Sequence, residues 1–111
     1  MDVIESNSVK EVSDQFILYA MKRAKKVEFE PQFSLEDLVG KTLESVRKVK
    51  NPKQYNPEVE SPNPEYFTAL IFSDRTFLVD ERWGDGECAH HDSYYFNGRE
   101  TLYSDKLFWA D

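Results

Sequence analysis

Cys88, His90, His91 and Asp92 fall within five consecutive residues and form the most chemically versatile run in the chain. On an extended strand Cys88, His90 and Asp92 share one face, while His91 and Ser93 share the other. Neighbours on one face stand roughly 6.6 Å apart, so two of them can converge on one metal ion, but the outer pair cannot. The remaining ligands would have to come from elsewhere, with Asp80 or Glu81 as candidates. The sequence holds no second Cys/His pair, so the ligand count of a structural zinc site is not met and the run reads as a solvated, acid-rich strand. A Cys–His or Ser–His nucleophile pair would need an oxyanion-stabilising group nearby. Nothing around Cys88 or Ser93 has the form of a nucleophile elbow or a Gly-rich approach. The expectation is no catalytic residue, no metal and no cofactor.

Gly40-Lys41-Thr42 has the ending of a phosphate-binding loop. That motif needs a glycine five residues earlier, where Leu35 stands, and the segment before it is a helix-start signal instead of a buried strand. Nucleotide binding through this tripeptide is therefore rejected. The carboxylates Asp80, Glu81, Asp85, Glu87 and Asp92 crowd one region, interleaved with Trp83, Tyr94 and Tyr95. Tyr94 and Tyr95 are adjacent, so on a strand they point to opposite faces and one of them is expected at the surface. An exposed aromatic ringed by carboxylates has the make-up of a contact for a basic protein. Cross-strand pairing of surface aromatics explains the same residues equally well.

The element that must position these groups is Tyr66 to Trp83, where two apolar runs flank the polar turn Ser73-Asp-Arg-Thr76. Both alternating sets along Tyr66 to Phe72 are largely apolar, the pattern of a central strand covered on both faces. Arg75 occupies a turn position where Gly would be usual. Glu81 interrupts the apolar face of the return strand. Gly84-Asp-Gly86 reads as a turn, Glu87 to Phe96 as the next strand, and Asn97-Gly98 as the strongest short hairpin signal, leading into a strand at Arg99 to Ser104. Leu107, Phe108 and Trp109 are expected to pack down.

Upstream, Ser8 to Val27 reads as an amphipathic helix with Val9, Val12, Phe16, Tyr19/Ala20, Ala24 and Val27 as its apolar stripe and Ser8/Glu11 as a capping box. Lys22, Arg23, Lys25 and Lys26 complement the negative end of its dipole, which accounts for them better than phosphate binding does. Phe29 and Phe33 should anchor a connection broken by Pro31. Ser34-Leu-Glu-Asp37 forms a second capping box before a short helical turn closed by Gly40. Lys41 to Lys50 follows as a strand whose spacing of Leu43, Val46 and Val49 requires a bulge near Glu44-Ser45. Residues 51–64 hold four of the five prolines and form a long loop with Tyr55 as its recognition candidate.

The 111 residues fit one α+β domain: an N-terminal amphipathic helix packed on a twisted antiparallel sheet of about five strands. The single cysteine favours a reducing, cytoplasmic home, and the longest apolar run, Phe16 to Met21, is too short to span a bilayer. Of the net charge of −7, residues 1–53 hold ten Lys/Arg against nine Asp/Glu, and residues 54–111 hold four against twelve. That strand-rich half repels nucleic acid and membrane surfaces and attracts basic proteins. The function expected is that of a small acidic, non-enzymatic binding module of the immunity-type or phage-type inhibitor kind. Its partner would be a basic protein, such as a nucleic-acid-handling enzyme, met through Asp80, Glu81, Trp83, Asp85, Glu87, Asp92 and Tyr95. The alternative is a small-ligand domain with a pocket between helix and sheet lined by Trp83, Tyr94 and Tyr103. A homodimer through an edge strand is compatible with the apolar C-terminal segment.

Overall fold

The computed structural model describes residues 12–27, 30–52, 65–83 and 90–107, without the side chains of Trp83 and His90. Five strands form one open sheet in sequence order: β1 (Leu43–Lys50), β2 (Tyr66–Phe72), β3 (Phe77–Trp83), β4 (His90–Phe96) and β5 (Thr101–Ser104). Every neighbouring pair is antiparallel. Among the described residues one helix, α1 (Asp14–Arg23), precedes them, and a short 3-10 turn, Leu35–Leu38, lies between α1 and β1. The α+β architecture expected from the pattern of runs is the one found.

The sheet is covered on both faces, as the doubly apolar β2 required. On one face Val49, Phe67, Ala69, Ile71, Phe77, Val79, Tyr94 and Tyr103 pack with Ile17 and Ala20 of α1. On the other, Phe72, Leu78 and Tyr95 pack with Phe33, Leu38 and Leu107. Burying both sets removes their apolar surface from water, at roughly 25 cal/mol per Å², while the edge strand β1 stays largely exposed, with Leu43 and Val46 at the surface. Leu107 packs down as anticipated; Phe108, Trp109 and Phe29 lie outside the described residues.

The helix begins later and ends earlier than its pattern indicated. Ser13 is the N-cap, its hydroxyl accepting from the Phe16 N–H at 3.1 Å. Ala24 is already extended (ψ 134°), so Lys25 and Lys26 lie beyond the helix. Ser8 and Glu11, read as a capping box, and Val9 are outside the described residues. The buried stripe also differs. Ile17 is fully buried and Ala20 nearly so, whereas Phe16 and Tyr19 are 39% and 54% exposed. Phe16-Ile-Leu-Tyr-Ala-Met21 is apolar right round the helix, so spacing alone could not choose between two overlapping stripes. Phe16 is kept at the margin, edge-on to Phe77 and Phe96. Tyr19 carries the Arg23 guanidinium over its ring.

The turns follow their chemistry. Gly40 and Gly98 have φ of +89° and +99°, conformations that suit glycine. Arg75 takes φ +73° in the β2–β3 turn without being a glycine. Asp74 holds that turn by accepting from the Thr76 N–H (3.1 Å) and hydroxyl (2.5 Å) and from the Lys41 ammonium (2.5 Å). The Ser34 N–H donates to Asp37 at 3.0 Å, and the Asn97 amide oxygen accepts from the N–H groups of Arg99 and Glu100. The register of β1 on β2 shifts between Leu43 and Ser45, the bulge anticipated there. The Asn51 N–H to Glu65 carbonyl bond (2.9 Å) closes the β1–β2 connection, whose residues 53–64, Tyr55 among them, are outside the described set.

The two edges of the sheet differ. On β5 the Tyr103 carbonyl accepts from the Gln32 N–H (3.0 Å), and the Tyr103 N–H donates to the Gln32 side-chain oxygen (2.8 Å). The outward polar groups of Tyr103 are thus satisfied by one residue. Among the described residues no segment pairs with the outer edge of β1.

Candidate functional site

Glu81 of β3 and Asp92 of β4 are direct cross-strand partners on the face that α1 covers. Like charges placed so are unfavourable unless compensated. Two tyrosines supply the compensation. Tyr94, two residues along β4, donates its hydroxyl to Glu81 at 3.1 Å, and Tyr103 of β5 donates to Asp92 at 2.7 Å. The rings of Tyr94 and Tyr103 are cross-strand neighbours with centroids 5.6 Å apart and planes 54° apart. The backbone of Tyr103 faces outward to Gln32, so this is the closer, non-hydrogen-bonded kind of antiparallel pair, which brings side chains together. Burial first, and then the neighbouring carboxylates, push both phenols well above their ordinary pKa of 10.0. The hydroxyls are therefore committed donors.

Lys26, just past the end of α1, completes the group. Its ammonium lies 5.7 and 5.5 Å from the ring centres of Tyr94 and Tyr103 and 3.8 Å from the second oxygen of Asp92. An ammonium held over aromatic faces beside a carboxylate gains from the ring quadrupoles and from the charge. The assembly borders a cleft of about 650 Å³ between α1 and the sheet. Leu18, Met21 and Phe67 give it apolar walls, and Glu81, Lys26 and Asn51 bring polar groups. Among the residues expected to line such a pocket, Tyr94 does so and Tyr103 adjoins it through ring contact.

The opposite face carries a smaller polar set. Asp80 and His91 meet there, Oδ1 to Nδ1, at 3.0 Å, both partly exposed. Ser93, in register with Asp80, is fully buried, and its hydroxyl has no hydrogen-bond partner among the described residues. Among the described residues no three His, Cys, Asp or Glu side chains are grouped as metal ligands, and Cys88 lies outside them.

Of the seven residues expected to meet a partner, the four whose side chains are described, Asp80, Glu81, Asp92 and Tyr95, do not share one face. Glu81 and Asp92 come together on the helix face, and Asp80 lies on the other. Tyr95 is a correction: only 5% exposed, it packs on Phe33 with centroids 5.5 Å apart and belongs to the second core. Tyr94 is equally buried, so neither of the adjacent tyrosines is the surface aromatic expected. The reason is that both faces of β4 are covered, one by α1 and the other by the segment around Phe33. Trp83 ends β3 opposite His90, and Asp85 and Glu87 lie outside the described residues.

Sequence reasoning passed over Lys26 because the helix dipole already accounted for it. Its signal was present in another form: Glu81 breaking an apolar strand face and Asp92 two residues from Tyr94 both called for a cation and for donors. No protein-family model matches the chain, and no curated protein or solved structure matches it either.

Proposed function

We propose that this chain is a small acidic protein-binding module that masks a basic surface on a partner protein, in the manner of an immunity-type or phage-type inhibitor. The observation that carries the reading is the side-by-side placement of Glu81 and Asp92, oriented by two tyrosine hydroxyls. Carboxylates held in this way meet an incoming cation without reorganising, and the four Lys/Arg against twelve Asp/Glu of residues 54–111 would steer it in. The proposal includes a non-catalytic role, no cofactor, and a cytoplasmic setting in keeping with the single cysteine. Among the described residues no helix is long and apolar enough to cross a membrane.

The test is a pull-down from native extract with the tagged chain at low and high salt, read by mass spectrometry. A basic protein should be retained at low salt, released at high salt, and lost when Asp85 and Glu87, or Glu81 and Asp92, are replaced by lysine. Retention indifferent to these replacements would overturn the proposal. A second reading, a small-ligand site, is favoured by the cleft of about 650 Å³ with its apolar walls. A thermal-shift screen with metabolites tests it, and a ligand that stabilises the chain but not a variant with Met21 replaced by Trp would support it.

A further inference from the structure

The fold holds two lysines over paired aromatic rings, one on each face of β4. Lys41 lies 5.9 Å from the Phe72 ring centre and 5.7 Å from that of Tyr95, with Asp74 at 2.5 Å. Lys26 lies over Tyr94 and Tyr103, with Asp92 at 3.8 Å. The two differ in how tightly they are held. The Lys41 side chain is 16% exposed and its counter-ion 50%, so the cation is enclosed and its contacts are short. At Lys26 the order is reversed: the lysine is 54% exposed and Asp92 only 13%. The enclosed partner is the anion with its aromatic surround, and the cation is the loosely held component. Ion pairs with an exposed, flexible partner are weakly held.

We infer that the Tyr94–Tyr103–Asp92 group is a receptor site for a primary ammonium, that Lys26 is its internal occupant, and that a lysine side chain of the basic partner displaces it. The inference rests on the proposed function and names its central contact. The two rings, inclined at 54°, converge on a point charge, which suits a compact ammonium better than a planar guanidinium. The adjoining cleft, walled by Leu18, Met21 and Phe67, offers apolar surface for a four-carbon stem. Lys26 itself borders that cleft from a non-helical segment, so it can leave without disturbing α1.

The experiment follows the ring resonances of Tyr94 and Tyr103 by NMR while Nα-acetyl-lysine amide is added to the full chain. Nα-acetyl-norleucine amide serves as the uncharged control. The variant Lys26→Gln should bind the lysine amide about tenfold more tightly than the parent, because the internal competitor is gone. Lys48→Gln, which alters a lysine of β1 that does not line the cleft, should not. Adding Asp92→Asn to Lys26→Gln should abolish binding, and the norleucine amide should not bind. No gain in Lys26→Gln, or equal binding of the norleucine amide, overturns the inference. A lysine-containing peptide that binds more tightly than the free amide identifies a polypeptide as the source of the ammonium. Equal binding identifies a small amine, and overturns the partner lysine while keeping the site. Salt-dependent protein retention without any Lys26→Gln gain would remove the site and leave the masking function. The reverse result would remove the masking function and leave the site.

Discussion

Glu81 and Asp92 stand opposite each other across β3 and β4, and each accepts a hydroxyl hydrogen bond from a different tyrosine. Removing either hydroxyl leaves a partly buried carboxylate short of a donor. Tyr94→Phe and Tyr103→Phe should each cost about 1–3 kcal/mol in urea denaturation. Because the two carboxylates repel, the double variant should lose more than the sum of the singles, with a coupling of roughly 0.5 kcal/mol or more. Strict additivity would show that the two pairs act independently.

The same phenols set an alkaline limit. Their folded pKa values lie above the unfolded value of 10.0, so the folded state holds protons that the unfolded chain releases. Their contribution to stability is fully present below about pH 10 and is lost as pH rises beyond it. In an absorbance titration, the phenolate signals of Tyr94 and Tyr103 should appear only together with loss of near-UV circular dichroism. Their appearance in a chain with intact tertiary signal would contradict the buried hydrogen bonds.

At the acid end the corresponding group is Asp74. The hydrogen bonds from Lys41 and Thr76 lower its carboxyl from 3.8 to about 2. A lowered folded value means stability present above about pH 4 and lost as pH falls through about 2. Asp74 is half exposed, so solvent screening keeps the effect small. Asp74→Asn should cost about 0.5–1 kcal/mol at pH 7, and the gap between variant and parent should close near pH 2. A gap that does not change with pH would mean that the turn, and not the charge, supplies the difference.

Ile17 is the fully buried residue of α1, so Ile17→Ala should cost about 2–5 kcal/mol. Phe16→Ala, at a 39% exposed position, should cost clearly less although the ring is larger. Guanidinium denaturation of the two variants would decide which stripe faces the sheet.

Much of the sheet was legible because its signals are local and independent. The run Tyr66–Phe72 with both of its alternating sets apolar, Asn97-Gly98, the left-handed Gly40 and the bulge beside Glu44 each follow from a few adjacent residues, and all stand in the structure. What was not legible depends on partners distant in sequence. Tyr95 could be placed only by knowing that Phe33 covers the far face. Ile17 could be ranked above Phe16 only by knowing how α1 lies on the sheet. The candidate site needs Lys26, Glu81, Asp92, Tyr94 and Tyr103 together, drawn from the segment after α1 and from three strands. Two of its members, Glu81 and Asp92, were named from the sequence as charges; their tyrosine partners were assigned to other roles.

The different treatment of the two sheet edges limits how copies of this chain can add to one another. Gln32 occupies the backbone groups of Tyr103 that a further strand would need, while β1 offers eight residues of edge. A strand-forming unit with two open sides can polymerise without end. Among the described residues the β1 edge has no neighbouring segment and the β5 edge is met by Gln32 at Tyr103, so two copies meeting along β1 would turn their Gln32-bonded edges outward. For strand-by-strand addition at the β5 side a copy would first have to displace Gln32 from Tyr103, so replacing Gln32 should ease addition there.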